Sequence, residues 1–99
     1  MTKKRFVLVA SVNTDGPERV QPILEKLFGG GCVIQVDDNE FRIKAEVEGE
    51  DVKELNRSLL SELRKVERRT RLRAEWTWNG TTDRFFDYVL KKSTKIAGK

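Results

Sequence analysis

Residues 6–12 are apolar almost throughout, the pattern of a strand shielded on both faces in the middle of a sheet. They predict a first, central strand, which the cluster Asn13-Thr14-Asp15-Gly16-Pro17 ends. Val20, Ile23, Leu24, Leu27 and Phe28 then recur at i, i+3, i+4, i+7 and i+8, one stripe of a helix that Gly29-Gly30-Gly31 stops. Pro22 lies inside that stripe and deletes one backbone bond, so a frayed or irregular first turn is expected. Residues 32–36 and 41–47 flank the turn-forming Asp37-Asp38-Asn39-Glu40. The second of them alternates Phe41, Ile43, Ala45 and Val47 against Arg42, Lys44, Glu46 and Glu48, a hairpin with one wet face. After Gly49, the spacing of Val52, Leu55, Leu59, Leu63 and Val66 predicts a helix of about five turns. Leu72, Ala74, Trp76 and Trp78 alternate as a last strand, closed by Asn79-Gly80.

The order strand, helix, strand, strand, helix, strand, joined by right-handed crossovers, places the first and third strands centrally and both helices on one face. This predicts an α+β, ferredoxin-like βαββαβ sandwich. Phe85, Phe86, Val89 and Leu90 predict a short additional C-terminal helix capped by Thr82 or Asp83. A strand pairing across Asn79-Gly80 is the competing reading. The domain is expected to occupy residues 1–92, with 93–99 a disordered basic tail.

A chain of 99 residues removes roughly 60–65% of its unfolded surface from water, enough for one modest core. Residues 1–49 carry seven Lys/Arg against eight Asp/Glu, and residues 50–99 thirteen against eight, so the net charge of +4 arises in the second half. Cys32 is the single cysteine, which excludes an internal disulfide and fits a reducing cytoplasm. The apolar stretch behind Met-Thr-Lys-Lys-Arg is too short to span a bilayer and lacks a signal-peptide pattern, so no membrane partner is expected.

The densest charge lies between Arg64 and Arg73, where six cationic side chains meet one carboxylate. Guanidinium groups fit phosphate oxygens as forks, so this segment predicts a polyanion partner. On a helical wheel Lys53, Arg57, Arg64 and Arg68 fall within about 60° of one another, continuous with Arg69, Arg71 and Arg73. These seven are the candidate nucleic-acid-binding residues, and a solvated face bridged to Glu50, Glu54 and Glu67 is the alternative. Arg42 and Lys44 with Arg71 and Arg73 form a second candidate cationic surface on the open face of the sheet. Its third strand carries charges where an aromatic RNA-binding platform would carry rings, which argues against that mode. Trp76, Trp78, Phe85, Phe86 and Tyr88 concentrate aromatic mass near the C-terminus, either as core or as a partner interface. The amide of Asn56, close to the apolar stripe, requires a structural hydrogen bond.

The glycine run has the wrong polarity for a phosphate loop, since it leads from helix to strand. The loop Asn13 to Pro17 has the right polarity but no lysine or glycine pattern. Asp37, Asp38 and Glu40 are explained by a hairpin turn, and no metal or cofactor is expected. There is no His, the one Cys has no cationic sequence neighbour, and no Ser sits in a nucleophile setting, so the chain is expected not to be an enzyme.

The stretch Asp51-Val52-x-x-Leu55 followed by Ser61-x-Leu63-Arg64, behind the hairpin strand, resembles the small dimerising subunit of the KEOPS tRNA-modification complex. That resemblance implies a non-catalytic homodimer in a tRNA-handling assembly, although Asn56 and Leu60 depart from the usual Arg and Asn of its helix. A strand followed by Asp15-Gly16-Pro17 and a helix is similar to ACT regulatory domains, which implies a small-ligand sensor. The expected function is therefore a binding or assembly module for RNA or an RNA–protein complex. A protein–protein dimerisation scaffold and an ACT-like sensor are the alternatives.

Overall fold

A computed structural model describes residues 4–95, and their side chains as far as Leu90. The strand Lys4–Thr14 (β1) leads to the helix Pro17–Phe28 (α1) and a 3₁₀ turn at Gly30–Cys32. The hairpin of Val33–Asp37 (β2) and Glu40–Gly49 (β3) follows, then the helix Val52–Val66 (α2). Thr70–Trp78 (β4), Thr81–Phe86 (β5) and Val89–Lys95 (β6) complete the chain. The strands form one six-stranded antiparallel sheet in the order β2-β3-β1-β4-β5-β6, so the chain is a small α+β domain with two helices.

Alternation along each central strand sends one set of side chains to the helices. Phe6, Leu8, Ala10 and Val12 of β1 join Phe41 and Ile43 of β3, Leu72, Ala74 and Trp76 of β4, and Phe85 of β5. From the helices Val20, Leu24, Leu59, Leu60 and Leu63 close the same core. The core is thus one layer, between helices and one face of the sheet. Among the described residues the opposite face carries no helix, and it leaves Val7 40% and Val9 46% exposed. The expectation that β1 is shielded on both faces is therefore corrected. β1 is central, paired on both edges, but only every second side chain of its apolar run is buried.

Both helix starts follow from local chemistry. Asp51 caps α2, its carboxylate accepting from the Lys53 amide at 3.0 Å. α1 opens with Pro17, whose missing N–H is no loss in a first turn. Pro22 is accommodated inside α1 on its exposed side, and the helix continues to Phe28 without a break.

The short C-terminal helix is also corrected, because residues 81–95 form the β5–β6 hairpin. Asn79 and Gly80 have φ of 52° and 76°, left-handed at both positions, as a two-residue hairpin turn demands. That turn sends β5 back along β4, whose edge would otherwise be unpaired. Phe85, Phe86, Val89 and Leu90 satisfy helical spacing, but equally the register Phe85↔Leu90 and Phe86↔Val89 about a turn at Asp87-Tyr88. Backbone pairing runs on to Lys95, three residues into the segment expected to be a tail, and residues 96–99 lie outside the described residues.

Candidate nucleic-acid interface

The seven candidate arginines and lysine divide by position. Lys53 and Arg57 stand in the first half of α2, and Arg57 is taken up by Glu54, at 2.7 Å. At the helical rise they lie about 16 and 10 Å along the axis from Arg64. The other five gather where α2 ends and β4 begins.

Arg64 is largely a structural brace there. Its Nε donates to the Thr70 carbonyl at 2.9 Å, its outer nitrogen lies 3.5 Å from Asp87 Oδ1, and the guanidinium sits 5.3 Å from the centre of the Tyr88 ring. Arg69 approaches Asp15 at 3.7 Å, with both side chains mostly in solvent. Among the described residues Arg68, Arg71 and Arg73 make no ion pair. One hollow is lined by Arg64, Arg68, Arg69 and Arg71 with Asn13 and Asp15. A second, on the helix-free face, is lined by Arg71, Arg73 and Arg42 with Ser11, Glu40 and Phe86. Arg71 belongs to both, and the acids among these linings are Asp15 and Glu40, the latter 3.7 Å from Arg42.

The other end of that face is more nearly balanced. Arg5 reaches Glu48 at 2.9 Å and Glu46 at 3.5 Å, and Arg84 reaches Glu75 at 3.3 Å. The hydrogen bond to Glu48, with the charges of Glu48 and Glu46, raises the pKa of Arg5 above the ordinary arginine value.

The junction under these arginines is held by a buried polar relay. Thr70 donates its hydroxyl to the Glu67 carbonyl at 2.7 Å, so in the 3.0 Å contact between the two hydroxyls Thr14 is the donor. Thr14 in turn accepts from the Gly16 amide at 3.1 Å. The Glu67 carboxylate lies against Gly16 at the start of α1, where it accepts from Arg19 at 3.0 Å and from the Arg69 amide at 3.2 Å. A carboxylate therefore stands near the positive end of α1, where negative charge is favoured.

The aromatic residues divide too. Trp76 and Phe85, expected as candidates for a partner interface, are 1% and 4% exposed. They are core residues, because alternation in β4 and β5 turns them toward the helices. Trp78 is exposed, tilted against Phe6 with the Lys4 ammonium 4.6 Å from its ring centre. Tyr88 is exposed beside Arg64, and Phe86 lies half-buried on the helix-free face under Arg73, whose guanidinium carbon is 5.2 Å from the ring centre.

Asn56 bonds as its position requires. Its amide donates to the Asp87 carbonyl at 2.7 Å, and its oxygen accepts from Trp76 Nε1 at 3.2 Å. Asp87, which sequence reasoning passed over, is the hub of this end of the molecule. Its backbone is left-handed (φ 57°), its amide donates to the Leu72 carbonyl at 2.7 Å, and its carboxylate accepts from the Leu72 amide at 3.0 Å. The available signal was an Asp inside a two-residue turn, a residue type that tolerates left-handed backbone.

Cys32 lines an apolar hollow between the end of α1 and the start of α2, and no cationic side chain is among the lining residues. Among the described residues no group of His, Cys, Asp and Glu is placed to hold a metal ion. No described helix is long and apolar enough to cross a membrane. Comparison with protein-family models, curated proteins and solved structures returns no match.

Proposed function

We propose that this chain is a non-enzymatic, ferredoxin-like binding module for RNA or an RNA–protein complex, engaging phosphates through the arginines at the start of β4. The observation that carries this reading is the position of Arg71. It borders both hollows, one with Arg64, Arg68 and Arg69 and the other with Arg42 and Arg73. Arg68, Arg71 and Arg73 have no acidic partner among the described residues, so their charge is available to phosphate oxygens. Lys53 and Arg57 stand apart from this set and contribute little. A tRNA-handling assembly, implied by the likeness of α2 to the small KEOPS subunit, accords with such a partner.

Binding through phosphates releases counterions, so affinity for RNA falls linearly on a log–log plot against salt, with a slope near −0.7 per phosphate contacted on a single strand. Titration of labelled RNA at several salt concentrations measures that slope. A flat profile, or no binding at low salt, refutes the reading.

A second reading rests on Val7 and Val9, which stand exposed in mid-sheet with no helix above them. A second copy packed on this face would cover them, making the chain a dimerisation scaffold. Light scattering of the native chain and of Val9→Glu tests this: a dimer in the first and a monomer in the second is required.

A further inference from the structure

Strand register sets one row across the helix-free face. Ile34, Arg42, Ser11, Arg73, Phe86 and Val89 stand side by side, one from each strand. The row puts an aromatic ring among cations, although the third strand carries none on its outer positions. Phe86 arrives from β5, whose apolar spacing suits a helix face as well.

The geometry points to a single-stranded nucleic acid laid across this face, with one base on Phe86 and the flanking phosphates on Arg71, Arg73 and Arg42. This rests on the reading of the arginines as a phosphate-binding surface, and specifies which polyanion they take. Phe86 borders two adjoining hollows. One, of about 480 Å³, has Val9 and the Phe86 ring in its lining, and the other, of about 300 Å³, has Arg42, Arg71 and Arg73. They share Ser11, Arg73 and Phe86, so an apolar seat and a cationic seat meet along one edge. A nucleotide has the same division, a flat ring joined to an anion.

Arg71 and Arg73 lie two residues apart on one face of β4, about 7 Å by strand rise, a step that one nucleotide of an extended strand can bridge. The Arg73 guanidinium carbon lies 5.2 Å from the centre of the Phe86 ring, so cation and ring present one joint surface, and bases stack on arginine planes as well as on rings. Ser11 and Asn13 lie beside the arginines and offer neutral hydrogen-bonding groups to sugar or base edges. Glu46 and Glu48 on the outer side of β3 are paired with Arg5, so that end offers phosphates less positive charge and the strand's path keeps to the Arg71 end. A duplex keeps its base faces stacked inside and has nothing to place on Phe86; a single strand does.

The test is fluorescence anisotropy of the full chain with labelled ten-nucleotide probes: single-stranded RNA, single-stranded DNA, their duplex, and an abasic DNA strand of equal charge. Either single strand is expected to bind about tenfold more tightly than duplex or abasic probe. Phe86→Leu keeps apolar bulk but has no ring face; it should erase that advantage, keep the abasic affinity and retain the native circular-dichroism spectrum. Phe86→Trp should keep the advantage. Single-strand affinity unchanged in Phe86→Leu, or abasic and duplex probes bound as tightly as single strands, overturns the inference and leaves salt-dependent phosphate binding standing. No binding of any probe at low salt overturns both.

Discussion

Replacing Asn56 by Leu removes a side chain that joins three elements. Asn56 is 1% exposed, and its amide ties α2 to the turn at Asp87 and to the indole of Trp76, itself 1% exposed. Leucine fits the volume and the helix, so the perturbation is the loss of two hydrogen bonds. The indole N–H is left buried without an acceptor, which costs about 1–3 kcal/mol, and the Asp87 carbonyl loses a bond worth about 0.5–1.5 kcal/mol but lies close enough to the surface to recover water. The expected destabilisation is therefore about 2–4 kcal/mol, which in a domain of this size lowers Tm by about 10–25 °C. Urea denaturation followed by circular dichroism measures it. A cycle with Trp76→Phe separates the stranded N–H from simple packing loss: in the double variant no indole donor remains, so it should cost less than the two single changes together. A single-variant cost below about 0.5 kcal/mol, or strict additivity in the cycle, would refute the argument. Because Asp87 follows Phe86 directly, the same variant should also weaken single-strand binding.

Alanine at Arg71 should lower the salt slope of RNA binding by about one contact's worth, while alanine at Arg57, engaged with Glu54 away from the cluster, leaves it unchanged; both slopes come from anisotropy titrations. Gly80→Ala puts a Cβ on a backbone with φ 76° and should cost about 1–2 kcal/mol in thermal unfolding, with the hairpin retained. Gly16→Ala places a Cβ 2.7 Å from Glu67 Oε1, so it should destabilise in the native background. It should cost less once Glu67→Ala has cleared the space, a coupling that denaturant cycles measure. Arg64→Lys should not restore what Arg64→Ala loses in stability, because the bond to the Thr70 carbonyl, the approach to Asp87 and the position beside Tyr88 all use the planar guanidinium.

The elements up to Trp78 are legible in the chain because their burial is one-sided and periodic. Alternation at Phe41, Ile43, Leu72, Ala74 and Trp76, and three-four spacing in α2, each mark which side chains leave water, and that marking is local. The bond-seeking amide of Asn56 was legible for the same reason. The C-terminal segment was not. Phe85, Phe86, Val89 and Leu90 suit a helix face and a two-residue hairpin alike, and the choice falls to the strand because β4 offers an unpaired edge that the Asn79-Gly80 turn aims at. No local pattern contains that edge.

The division of the arginines belongs to the same class. Charge density alone marks residues 64–73 as one run. Arg64 becomes a brace through Asp87 and Tyr88, which are 23 and 24 residues further on, whereas Arg71 and Arg73 come beside Arg42 because β1 lies between β3 and β4. The sequence by itself determined the two helices, the first four strands, the core faces of β3, β4 and α2, and the sign of the charge, all of which depend on neighbours a few residues away. Only the tertiary structure decided which of the described arginines stay unpaired, which rings are core, and that Phe86 meets Arg73, since those follow from pairings between segments far apart in the chain.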